Sequence, residues 1–175
     1  MTKRTLTTLA CALLLAIALA ACGGSSKAPG VELAPSGGQT SATPATTTVP
    51  PALSRKPTVS VPKGPPPSHL VVKDLIKGNG PAASPTGTVT VNYVGLLYTT
   101  GKQFDSSWSR NQPFTTPLSS GSVIPGWVQG IQGMKVGGRR ELIIPPALGY
   151  GKSGSPPTIP PNSTLVFVVD LLSVS

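Results

Sequence analysis

Ser122-Val123-Ile124-Pro125-Gly126-Trp127-Val128-Gln129-Gly130-Ile131-Gln132-Gly133-Met134 is the one stretch of this chain that reads as an α-helix. Pro125 suits a first helical position, because its missing N–H is one that a helix leaves unpaired anyway. Trp127, Ile131 and Met134 follow at 0, +4 and +7 and share one face. The internal glycines weaken the helix by propensity, so packing must hold it in place. Around this helix the chain reads as strands. Thr88-Val89-Thr90-Val91-Asn92-Tyr93-Val94-Gly95-Leu96-Leu97 alternates polar Thr/Asn with Val and Tyr. Thr99 to Lys102 reads as a turn. Arg139 to Ile144 is a strand stopped by Pro145-Pro146, and Thr164 to Val174 is a strand too apolar to face water on either side along its middle. Several strands and one amphipathic helix define an α+β domain, an antiparallel sheet of about five strands wrapped around one short α-helix.

The ends and the composition bound what this domain does. Lys3 and Arg4 precede an Ala/Leu-rich run from Leu6 to Ala21, too short for a comfortable membrane span. With Leu19-Ala20-Ala21-Cys22 it has the form of a lipoprotein signal peptide, residues 1–21, which implies cleavage before Cys22 and lipidation of that cysteine. A plain signal peptide followed by a chance cysteine is the blander reading. The only other cysteine, Cys11, lies inside the segment to be removed, so the folded part has no thiol for a disulfide, for thiolate catalysis or for a metal. Residues 22–68 hold the lipidated cysteine and a Pro/Thr/Ser/Gly-rich linker with too little apolar surface to offset its ordering entropy, and we expect it to be a disordered spacer. Prolines from Pro29 to Pro62 would break a helical dimerisation arm there, so a monomer is expected. The domain proper is expected over residues 69–175.

The whole chain carries a formal charge of +9, but from His69 onward eight Lys/Arg face four Asp/Glu, a net of +4. No basic run is interleaved with aromatics, which argues against a nucleic-acid partner. Ordinary catalytic groups are nearly missing. His69 has no metal-ligand spacing around it, no serine has a base partner, and Gly137-Gly138 precedes a strand rather than a helix, so no phosphate loop forms. No metal or cofactor is implied. What the chain offers instead is aromatic and aliphatic groups at loop and helix edges: Phe104-Asp105-Ser106-Ser107, Val123-Ile124, Trp127, Gly149-Tyr150-Gly151 and Phe167. That set suits an apolar cleft acting by environment rather than by acid–base or metal chemistry.

On these segments, from about Leu70 to the C-terminus, the chain strongly resembles the FKBP family of peptidyl-prolyl cis/trans isomerases. The resemblance implies an FKBP-like fold and assigns parts. Trp127 is the floor beneath the prolyl ring. Tyr93, Phe104 and Phe167 are aromatic walls, with Phe114 on the rim. Val123 and Ile124 make backbone contacts, and Tyr150 gives a hydrogen bond to a substrate carbonyl. Asp105 lies near the twisting imide, held by Tyr93 and Arg110, and Ile159 sits in a loop over the cleft. The departure at Ser122 costs little, since the contact implied there is made by the backbone, while those at Ser155 and Thr158 bear on ligand preference and on affinity for macrolide inhibitors rather than on the fold. Residues 135–160 are too short for an inserted chaperone flap. By themselves these residues have duller readings: Trp127, Phe104 and Phe167 as core, Asp105 as a turn former. The resemblance implies an isomerase acting on X-Pro segments of exported proteins at the outer face of a bacterial membrane. A non-catalytic module that binds Pro-containing segments is the alternative.

Overall fold

The computed structural model describes residues 50–175, and Cys22 and the signal segment lie outside them. Six strands form a single antiparallel sheet: β1 (Val71–Ile76), β2 (Thr88–Leu97), β3 (Gln103–Ser106), β4 (Phe114–Pro117), β5 (Arg139–Ile144) and β6 (Leu165–Val174). The order is β1-β5-β6-β2-β3. β4 pairs with the opposite end of the same β2 edge, at Thr88 to Val91, while β3 pairs at Val94 to Leu96. One more strand is present than the sequence promised, because β1, β3 and β4 are short or half-exposed and carry little periodicity. The single α-helix among the described residues, α1, spans Pro125–Ile131. It stops short of Met134, where Gly133 takes a left-handed φ of 73° and Met134 N–H closes onto Ile131. Met134 is nevertheless buried with Trp127 and Ile131 in one core.

Side-chain alternation assigns two faces to the sheet. Val89, Val91 and Tyr93 of β2, Leu142 and Ile144 of β5, and Leu165, Phe167, Val169 and Leu171 of β6 point at α1 and form the main core. Val94, Leu96, Tyr98, Ile143 and Val166 point the other way and form a second buried cluster. What covers that second face corrects the expected domain boundary. Residues 50–68 are not a bare spacer. A 3₁₀ turn at Pro51–Ser54 buries Leu53 to 1% exposure, and Val59 and Val61 pack on the second cluster. Arg139 Nη2 donates to Arg55 O at 3.0 Å, Lys56 Nζ to Gln103 Oε1 at 2.8 Å, and Tyr98 Oη reaches Pro65 O at 3.4 Å. The segment is a strap that crosses the outer face before the chain enters β1. Trp108 packs on the same cluster and so covers the sheet.

One buried ion pair ties strap and sheet together. Arg139 grips Asp170 through Nε at 2.5 Å and Nη2 at 2.7 Å, across the β5–β6 pairing of those two residues. Asp170 is 1% exposed, so its charge depends on this partner.

Candidate functional site

The cleft lies between the helix side of the sheet and the loops at its edge. It encloses about 500 Å³ and is lined by Tyr93, Phe104, Asp105, Arg110, Phe114, Ser122, Val123, Ile124, Trp127, Tyr150 and Phe167. Each element delivers its part for a local reason. α1 begins at Pro125 with an extended Ile124 before it, so Val123 and Ile124 enter the cleft as extended backbone and Trp127 as the first inward helical side chain. β2 brings Tyr93 in phase with the core residues Val89 and Val91. β3 ends at Ser106, and the chain leaves the sheet in a 3₁₀ turn, Ser107–Arg110, that folds Arg110 back over the Tyr93 ring. Asn111, at a φ of 50°, reverses the chain into β4, which begins with Phe114.

The rings lock one another edge to face. Tyr93 and Trp127 are 5.2 Å apart at 82°, Trp127 and Phe167 5.3 Å at 82°, and Phe104 and Phe167 5.5 Å at 88°. Such contacts fix ring orientation beyond simple burial. Trp127 is almost wholly buried at the floor, and its Nε1 has no hydrogen-bond partner among the described residues. Phe114 and Tyr150 are more than a third exposed and form the rim.

A single polar cluster sits in this apolar frame. Tyr93 donates its hydroxyl to Asp105 Oδ2. Arg110 Nη1 donates to Asp105 Oδ1 at 2.5 Å and Nη2 to Tyr93 Oη at 2.8 Å, and Ser106 N–H donates to Asp105 Oδ1 at 2.7 Å. Burial alone would raise the Asp105 pKa, but the Tyr93 hydroxyl, the Arg110 guanidinium and the Ser106 amide outweigh it and hold the carboxyl below its ordinary value. Tyr93 is pushed up to about 12, by burial first and by Asp105 second. Tyr150 is raised by burial and then by the Asp105 charge. At neutral pH the cleft therefore presents one ionised, fully anchored carboxylate and two protonated phenols.

Ten of the residues predicted for the site come together here. Ile159 does not: it is 5% exposed and belongs to the core cluster rather than to the lining. The reason is the tight turn in which Ser155 and Ile159 exchange backbone hydrogen bonds. Gly154, at a φ of 64°, has no room for a Cβ beside Ile159 O. The sequence reading also passed over Gly95. A Cβ there would lie 2.7 Å from Phe104 and 2.9 Å from Phe167, so the bare backbone is what lets two walls meet. An isolated glycine within a strand pattern was the available signal. Among the described residues no group of His, Cys, Asp or Glu could hold a metal ion.

Rings locked around one anchored carboxylate, with no nucleophile beside a base, make a site that binds and polarises rather than one that forms a covalent intermediate. Comparison with known proteins gives this class its family. Residues 80–172 match the FKBP-type peptidyl-prolyl cis-trans isomerase family. An FK506-binding protein of Streptomyces anulatus is 52% identical over 120 residues, covering 68% of this chain and 97% of that protein. A probable FK506-binding protein of Corynebacterium glutamicum is 50% identical over 118 residues, covering 67% and 98%. Among solved structures, AtFKBP13 superposes with a TM-score of 0.57 at 39% identity, over 63% of this chain and 96% of that one. FkpA from Escherichia coli gives 0.56 at 49% identity, over 61% and 48%. The chain belongs to the FKBP-type peptidyl-prolyl cis-trans isomerase family and is an enzyme of that type.

Proposed function

We propose that this isomerase is an exported lipoprotein, tethered through Cys22 to the outer face of a bacterial membrane, that turns X-Pro bonds in other exported proteins as they fold. The anchoring reading rests on the basic start, the short apolar run and Leu19-Ala20-Ala21-Cys22. The client reading rests on that address and on the apolar cleft, which favours a large apolar residue before proline.

The single observation that carries the mechanism is the Tyr93–Asp105–Arg110 cluster set into the aromatic cleft. Rotation about an X-Pro imide faces a barrier of about 18–20 kcal/mol because the planar forms keep amide resonance. The twisted form has lost it. In our reading Trp127 carries the prolyl ring, Phe104 and Phe167 exclude water, and Tyr150 donates to a carbonyl of the bound segment. Asp105, fixed by Tyr93, Ser106 and Arg110, lies near the twisting unit. Fixed dipoles that fit the twisted form better than either planar form lower the barrier without a cofactor. That the similar proteins of Streptomyces anulatus and Corynebacterium glutamicum are FK506-binding proteins, the second a probable one, also supports a cleft that accepts FK506.

The test is protease-free isomerisation of a Leu-Pro-Phe peptide by the chain lacking residues 1–21, with and without FK506. Acceleration abolished by FK506 supports both readings. A folded protein without acceleration leaves the non-catalytic binding module. Labelling with a radioactive fatty acid in a bacterial host, lost in Cys22→Ala, tests the anchor, and unchanged labelling of that variant refutes it.

A further inference from the structure

The prolyl cleft does not end at Arg110 and Phe114. A second hollow of about 330 Å³ opens on their far side, lined by those two residues with Gln112, Pro113 and Thr115. Because Arg110 and Phe114 line both, a bound polypeptide can pass from one to the other without leaving the surface. The first hollow has room for the prolyl ring and its neighbour, and the second has the size of about two further residues. β4, which supplies Phe114 and Thr115, is hydrogen-bonded to β2 alone, so its other edge is unpaired among the described strands. An extended chain can lie along such an edge.

The chemistry of this second hollow differs from that of the cleft. Arg110 spends Nη1 on Asp105 and Nη2 on Tyr93. A guanidinium has five N–H donors, so three remain beyond these two bonds, on a side chain that lines the hollow and is 49% exposed overall. Gln112 adds an amide on an exposed side chain. The lining contains no carboxylate. The nearest one, Asp105, is already bound by three donors on the cleft side.

We infer that the hollow bounded by Arg110, Gln112 and Thr115 is a subsite for a residue flanking the X-Pro pair, and that it selects side chains with hydrogen-bond acceptors, a carboxylate above all. This rests on the isomerase reading of the adjoining cleft. Arg110 then links the two: one side of its guanidinium orients Asp105 and the other reads the sequence around the proline.

The experiment uses the full chain in mild detergent and peptides built on Leu-Pro-Phe, extended by two residues on either side. Glu, Gln or Lys is placed at each added position. The expected result is kcat/KM about threefold higher for Glu than for Gln at one position, the size of one exposed charge contact, and a smaller preference in high salt. The side on which it appears gives the direction of the bound chain. Gln112→Glu should bring the Glu-to-Gln ratio to one or below, and Gln112→Lys should raise it. Turnover of the Gln peptides with the same ratio in wild type, Gln112→Glu and Gln112→Lys would overturn the subsite while leaving the isomerase intact. No turnover of any peptide would instead overturn the reading on which the subsite rests.

Discussion

Asp105 is an ionised group in an apolar wall, and it survives there because three donors converge on it. Its folded pKa lies below that of an unfolded aspartate, near 3.9. Whatever stability the charge contributes is therefore present above that value and is lost as pH falls through the folded pKa. The Arg110–Asp105 pair is about half exposed, so the contribution is well under 1 kcal/mol once solvent screening is allowed for. With Tyr93 protonated up to about 12, turnover should be flat between about pH 5 and 9 and should fall only below about pH 4. A pH–rate profile checks this, and an inflection near neutrality would contradict it. Arg110→Ala removes one donor and should shift the acid limb upward. Asp105→Ala and Tyr150→Phe should cut kcat/KM by about tenfold or more while shifting the unfolding midpoint little, since both side chains are partly exposed. Wild-type turnover in both variants would remove them from the mechanism. Tyr150, set between two glycines beside a Pro-rich loop, already points to function by its residues, whereas the role of Asp105 was legible only through the family resemblance. From the residues alone Asp105 reads first as a turn former, with Arg110 at +5 as a candidate partner if it is buried; the Tyr93 hydroxyl, twelve residues away on another strand, has no signal in the sequence.

Among the elements, α1 shows how a feature that looks like weakness is a fit. By propensity Gly126 and Gly130 each cost the helix about 1 kcal/mol against alanine. In the fold a Cβ at Gly126 would lie 2.5 Å from Ile144 Cγ2, and one at Gly130 would lie 2.6 Å from Leu142 Cδ2. The helix rests backbone-first on β5, and that close seat brings Trp127 to the cleft floor. Gly126→Ala should therefore destabilise by about 1–3 kcal/mol despite its better propensity, measured by denaturant unfolding. A more stable variant would show that Ile144 yields. The buried ion pair gives a second element-level expectation: Arg139→Ala strands the Asp170 charge and should cost about 3–5 kcal/mol. Sequence periodicity found the helix, β2, β5 and β6, since each buries a run of apolar residues in the core. It did not place β1, β3 or β4, which pair along the edges of the sheet and bury few of their residues.

For the whole molecule, the strap is what the sequence concealed. Its composition resembles a linker, and only three large aliphatic residues, Leu53, Val59 and Val61, carry its packing. A signal was present elsewhere in the chain. β2 alternates as far as Tyr93 and then runs Val94-Gly95-Leu96-Leu97-Tyr98, apolar on both faces, with Ile143 and Val166 out of phase beside it. A sheet buried on both faces needs a second cover, and α1 supplies one only. A chain starting at His69 should thus unfold at a lower temperature and bind hydrophobic dyes, whereas one starting at Pro50 should match the full chain in thermal unfolding. Equal melting of the two would show that the strap contributes nothing.

On the proposed anchoring, the strap also sets a leash. Only the 27 residues 23–49, rather than the 46 of 23–68, lie between the lipid and the first docked residue. Every strap residue that peels off the sheet would pay out more line. The volume of exported chain that one anchored molecule can patrol is thus set by whether Val59 and Val61 stay seated.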